Sequence, residues 1–186
     1  YETHLIGFNH VDPENWKRLG YDDAHSRRCR AEETVAATGE VLRRAASSDS
    51  PLFLKVGFRE VHRPFTHGTY RGHGIFVPPW MQDTPEIRED LAEFQATIGF
   101  FDARVGEILQ MLSDSTIANE TLVIMTSDHG MPYPGAKWTV RRAGIEVPFI
   151  AFQPNTAFSG GRVLDGMISN VDVLPSLLEY IGADIP

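Results

Sequence analysis

Three stretches of this chain end an apolar run on residues able to bind a charged group. In LVIMTSDHG, Asp128 and His129 follow a strand-like run and precede Gly130; in LKVGFREVHRPF, His62 follows the run 52–58; in HLIGFNHV, His10 follows the run 4–8. A carboxylate beside an imidazole can ligate one divalent cation. The plainer reading, Asp128 capping a turn and His129 bonding locally, fits the same spacing. Histidines at strand ends can act as acid, base or anion donor. If the strand before His62 neighbours the strand before Asp128, His62 reaches the same crevice. Lys137 closes the loop MPYPGAK, whose two prolines and glycine are stiff enough to aim its ammonium back at the strand end. An ammonium near a cation is repelled unless an anion lies between them, so metal and lysine together make an anion clamp. A solvated surface position is the commoner fate of a lone lysine.

The elements that must position these residues follow from periodicity. Apolar runs at 4–8, 52–58, 122–126 and 148–152 predict buried strands. Between them, Ile87, Leu91, Phe94, Ile98, Phe101, Val105, Ile108 and Leu112 recur at alternating steps of four and three. That spacing predicts a long amphipathic helix over 85–112, capped by Thr84 with Pro85 in its first turn. Further helices are predicted over 31–46 and 172–180, the latter stopped by Gly182. Strands separated by helices imply an α/β sheet, in which sites form at the carboxyl ends of strands. The aperiodic stretch 62–83, rich in Gly, Pro and His, reads as a functional loop.

Composition narrows the function classes. The chain has 186 residues and a net charge of −8, which speaks against a nucleic-acid surface. A single cysteine, Cys29, excludes an internal disulfide framework. No stretch approaches the roughly 20 apolar residues of a membrane span. Asp22 and Asp23 read as a solvated turn and Cys29 as structural rather than nucleophilic. His67 and His73 read as substrate-loop contacts. Arg141 and Arg142 offer either a local positive patch or a solvated edge. Asn119-Glu120-Thr121 is a glycosylation sequon, meaningful only in a secreted eukaryotic protein.

Taken in order, YETHLIGFNH, SPLFLKVGFREVHRPF, FFDARVGEIL, NETLVIMTSDHG, GAKWTVRRAGIEVPFIAF and SNVDVLPSLLEYIGADIP resemble stretches of the sulfatases of the alkaline-phosphatase superfamily. The DHGMPYPGAK, GFNHVDPENW and HRPF segments are most similar to the sulfamidase-like members. The resemblance implies a mixed, mostly parallel α/β sheet with helices on both faces, spanning 1–186 as part of a single catalytic domain. It implies a metal-dependent hydrolase of sulfuric esters or sulfamates, acting on a sulfated small molecule or glycan and exported, periplasmic or lysosomal. Asp128 and His129 match the family's cation ligands, the ion being calcium in most members. Lys137 and His62 match the residues that hold the sulfate oxygens. His10 matches the histidine beside the nucleophile, which helps the covalent sulfate ester collapse.

Three departures accompany the match. Phe8 stands where the family has lysine. His129 stands where many members have asparagine, and imidazole suits manganese, zinc or iron better than calcium. The family nucleophile, a formylglycine made from Cys or Ser in C/S-x-P-x-R, has no counterpart here, and Cys29 is followed by RAEE. With an opening that falls inside a motif, this leads to the expectation of a middle fragment of a longer enzyme, inactive alone. A phosphonate or phosphate ester hydrolase of the same superfamily is the alternative chemistry, and a non-catalytic protein of the same fold the alternative of another class.

Overall fold

The computed structural model describes residues 1–12, 14–25 and 30–185, so Cys29 lies outside the described residues. The chain divides into two compact units, residues 1–121 with 132–135, and residues 122–131 with 136–186.

The first unit is built on a three-stranded sheet, β1 (Glu2–Gly7), β2 (Asp23–His25) and β3 (Leu52–Gly57), in the order β2-β1-β3. Both pairings are parallel, His4 facing Asp23 on one side of β1 and Leu54 on the other. Helix α1 (Ala31–Ala45) packs on β1 and β3, and α2 (Pro85–Ser113) packs on α1. Leu5, Ile6, Val35, Val41, Leu42, Leu91 and Leu112 are buried in this interior. The Thr84 hydroxyl accepts from Ile87 N at 3.4 Å with Pro85 in the first turn, as the sequence predicts. The stripe on α2 deviates at one place. Ile98 is 40% exposed, whereas Thr97 is 1% exposed with its hydroxyl donating to Glu93 O at 3.0 Å.

The expectation of a solvated Asp22-Asp23 turn holds for Asp22, which is exposed at a bend, and is corrected for Asp23. Asp23 opens β2, and Asp22 accepts from both the N and the Oγ1 of Thr3 at 2.8 Å. Those bonds hold the Asp22 carboxyl below its ordinary value.

At the carboxyl ends of β1 and β3, Gly7 pairs with Gly57, and a Cβ on either would lie 2.1 Å from a carbonyl oxygen of the opposite segment. Gly7 also has φ +77°, so glycine meets two demands there.

The second unit pairs β4 (Val123–Thr126) antiparallel with β5 (Phe149–Phe152). It carries the short helix α3 (Arg142–Ile145), a 3-10 turn at Asn170–Asp172 and α4 (Val173–Tyr180). The Tyr180 hydroxyl donates to Gln153 Oε1 at 2.5 Å, and its ring meets Phe158 edge-on at 5.6 Å. All predicted strands and helices are present, with ends within two residues of expectation, but of the four strands predicted to be buried only β1 contains buried residues, while Phe53 of β3 and Ile150 and Phe152 of β5 are exposed. Strand β2, helix α3 and the 3-10 turn at Trp16–Leu19 had no periodic signal. Residues 62–83 contain no helix or strand.

Candidate functional site

Asp128 and His129 leave β4 at its carboxyl end, where an α/β sheet presents ligands. The His129 amide donates to Asp128 Oδ1 at 3.0 Å, fixing the carboxylate against the turn. His129 Nδ1 lies 2.8 Å from Gly130 O, which can only accept, so Nδ1 carries the proton and Nε2 keeps its lone pair. That Nε2 stands 3.5 Å from Asp128 Oδ2. Two ligand-capable atoms at that separation fit one divalent cation with bonds of about 2.0–2.5 Å. The Asp128 side chain is 74% exposed and the His129 side chain 37%.

Backbone bonds set this turn. Gly130 N donates to Gly144 O at 2.9 Å, and a Cβ at Gly130 would fall 1.8 Å from Ala143 O, so no larger residue fits without rearrangement. Asn170 clasps the strand end, its Nδ2 donating to Ser127 O at 3.0 Å and its Oδ1 accepting from Thr126 Oγ1 at 3.1 Å. Lys137 follows the fully buried Ala136, and its amide donates to Met131 O at 3.1 Å, returning the loop to the segment that carries His129. The Lys137 side chain is half-buried. The next residue, Trp138, is 92% exposed at φ 71°, an unfavourable backbone for a bulky side chain.

In the first unit, parallel pairing sends the ends of β1 and β3 out at one edge, so His10 and His62 both emerge there. The strand that β3 pairs with is β1; β4 pairs with β5. His10 is exposed and meets the Phe8 ring at 4.3 Å. His62 is exposed, and its Nδ1 donates to Arg63 O at 2.7 Å, leaving Nε2 as the free nitrogen.

Sequence reasoning did not single out Arg63, which anchors the His62 loop. Its guanidinium bonds both oxygens of Asp90, at 2.7 and 2.5 Å, and its Nε donates to Pro132 O at 3.4 Å. It lies over the rings of Phe65 at 4.5 Å and Tyr133 at 4.9 Å. The Asp90 carboxyl is held below its ordinary value by Arg63, while burial pushes the Tyr133 hydroxyl upward. The adjacency of Arg63 to His62 was the available signal; its partner lies 27 residues away. An open cleft of about 480 Å³ lined by Arg63, Trp80, Asp90 and Tyr133 contains none of the predicted site residues.

One expectation changes and one open alternative is favoured. His67 stacks on Phe100 at 3.8 Å, which makes it a packing residue of α2 rather than a free loop contact. Arg142 is paired with Glu146, the solvated-edge reading of that residue.

Residues 4–183 match the family model described as Sulfatase. The chain is 27% identical to human N-sulphoglucosamine sulphohydrolase, over 99% of this chain and 43% of that protein. It is 32% identical to an ulvan-active sulfatase of Formosa agariphila over 57% of this chain and 18% of that protein. Its fold is similar to that of an alkaline phosphatase superfamily protein from Vibrio parahaemolyticus, with TM-score 0.63 and 18% identity, over 100% of this chain and 45% of that one. The chain thus spans less than half the length of these relatives. With the α/β elements in the expected order and a family match running nearly end to end, this chain belongs to the sulfatase family.

Proposed function

We propose that this chain supplies the cation-binding and anion-binding part of a metal-dependent sulfuric ester or sulfamate hydrolase. The observation that carries the reading is the Asp128–His129 pair, with Oδ2 and Nε2 aligned at 3.5 Å at the end of β4. The sulfatase family depends on divalent metals. Calcium is the ion expected from the family, with manganese or magnesium as alternatives, and of these the His129 imidazole suits manganese best. A cation bound there would offset the negative charge that develops on the nonbridging oxygens of a sulfuryl group.

The chain's own residues take separate parts. Asp128 and His129 hold the cation. Lys137 places a positive donor for a sulfuryl oxygen. His62, oriented by the bond from its Nδ1 to Arg63 O, presents Nε2–H as a second donor in its imidazolium form. His10 serves as the proton-transfer group that assists collapse of a covalent sulfate ester. Formylglycine is the nucleophile of this chemistry, and no C/S-x-P-x-R sequence occurs among these 186 residues. The chain acts as part of one catalytic domain and turns nothing over alone. Its substrate class is a sulfated glycan or sulfated small molecule, in keeping with the names of its relatives.

A direct test is calorimetric titration of the chain with Ca²⁺ and Mn²⁺. Asp128→Ala is expected to weaken binding at least about tenfold. Steady turnover of an aryl sulfate by the isolated chain would overturn the assignment. His129 and Phe8 favour the phosphonate alternative; an enzyme containing this segment that prefers aryl phosphonate to aryl sulfate would establish it instead.

A further inference from the structure

The first unit holds a second group of metal-ligating side chains that the sulfatase reading leaves unused. One ligand atom from each of His4, Asp23 and His25 lies within 4.8 Å of the other two. Parallel pairing explains the juxtaposition: His4 sits opposite Asp23 and Ile6 opposite His25, so alternate residues of β1 and β2 share a face. The two imidazoles stack at 5.8 Å with an interplanar angle of 21°.

The protonation pattern prepares these groups for a cation. His4 is 1% exposed, and its Nε2 donates to Glu2 Oε1 at 2.7 Å. Arg44 on α1 holds that same carboxylate oxygen at 2.8 Å, keeping Glu2 in place. Nε2 is therefore the protonated nitrogen, and the lone pair falls on Nδ1, which is buried and has no partner. A ligating histidine oriented through its other nitrogen by a carboxylate is a recurrent arrangement in metal sites. His25 Nε2 is also buried without a hydrogen bond. It stands 3.0 Å from Asp23 Oδ2, close enough for a bond but out of line for one.

We propose that His4 Nδ1, His25 Nε2 and an Asp23 carboxylate oxygen bind a divalent transition-metal ion of the zinc class, with water completing the coordination. Two imidazoles and one carboxylate favour such an ion over calcium or magnesium. The Asp23 and His25 side chains are 45% and 30% exposed, which gives the ion a route in. Bonds of about 2.0–2.1 Å require the ligand atoms to settle at about 3.3 Å from one another, a movement that the partly exposed His25 and Asp23 side chains can supply around the buried His4. Bound metal would fasten β2, a three-residue strand at the edge of the sheet, to β1.

The test uses the chain carrying Asp128→Ala and His129→Ala, so that failure of the sulfatase cation site cannot be mistaken for failure of this one. Chelator-stripped protein is titrated with Co²⁺. One equivalent is expected to bind with the visible absorption of a low-coordinate cobalt centre, and equimolar Zn²⁺ should abolish that absorption. In the same background, His25→Ala and Asp23→Ala should each lower affinity at least about tenfold, with amide-exchange protection of α1 reporting that the fold survives. His25 and Asp23 are both partly exposed, so either variant suffices if the other fails to fold. Absence of the absorption band, or unchanged affinity in whichever variants fold, would overturn the assignment.

Discussion

The two compact units place their apolar residues in opposite ways. In the first, Leu5, Ile6, Val41, Leu42, Leu91 and Leu112 are all buried, packed between one sheet and two helices. In the second, Ala136 is the one hydrophobic residue buried among the described residues, while Val140, Val163, Leu164, Met167, Val171 and Leu174 are largely exposed. Burial stabilises by about 25 cal/mol for each Å² of apolar surface, so the first unit has an interior to hold its strand ends. The second fixes Asp128, His129 and Lys137 through polar bonds: Gly130 to Gly144, Asn170 to the end of β4, and Tyr180 to Gln153. Segments with little buried apolar contact open locally at low free energy. The lesson is that residues proposed for the same chemistry rest on supports of unequal strength.

Removing interior from the first unit should have the largest effect. Ile6 is 0% exposed, and Ile6→Ala is expected to cost about 2–5 kcal/mol. Denaturant midpoints would register the loss, and hydrogen exchange would locate it in β1 and α1. If β4 and β5 lost protection equally, the contrast between the units would fail, because they would be opening as one.

A smaller effect is expected from Gly130→Ala. The new methyl meets Ala143 O and must displace the Gly130–Gly144 bond, at a cost of about 2 kcal/mol. Faster amide exchange should appear at residues 128–131 and 142–145, together with weaker Mn²⁺ binding, while α1 keeps its protection. Unaltered exchange in the second unit would show that its turn tolerates a side chain after all.

The smallest effect concerns the Arg63–Asp90 pair, whose side chains are 42% and 30% exposed. Screening limits such a pair to under about 1 kcal/mol. Because the folded carboxyl titrates below its unfolded value of about 3.9, its contribution is fully present above that value. It disappears as pH falls through the folded one. Urea midpoints measured from pH 6 down to pH 2 should therefore decline more steeply for the native chain than for Asp90→Asn. Parallel declines would mean that the pair contributes nothing to the first unit.

How far the sequence could be read varied with how local the cause was. The stripe on α2 and the apolar runs of β1, β3, β4 and β5 announce themselves because each pattern is contained in its own segment. Strand β2 does not: Asp-Ala-His has no apolar run, and it becomes a strand only through pairing with β1 some 19 residues earlier. The strand-end positions of Asp128, His129, His62 and His10 were legible for the same local reason. The partners that orient them were not. Asp90 reaches Arg63 from another element, Asn170 reaches Ser127 across 43 residues, and Gly144 receives the Gly130 amide through loop packing. The closeness of His4 to His25 depends likewise on register, which residue type alone does not encode.

The Gly7–Gly57 contact couples two neighbourhoods that look independent in the chain. With no room for even a methyl between the backbones, the loop bearing His10 and the loop bearing His62 leave from a shared knot. Neither can be re-aimed alone. An engineer hoping to graft new specificity onto this edge would have to redraw both loops together, and a lone insertion beside either glycine would shift the two imidazoles as a set.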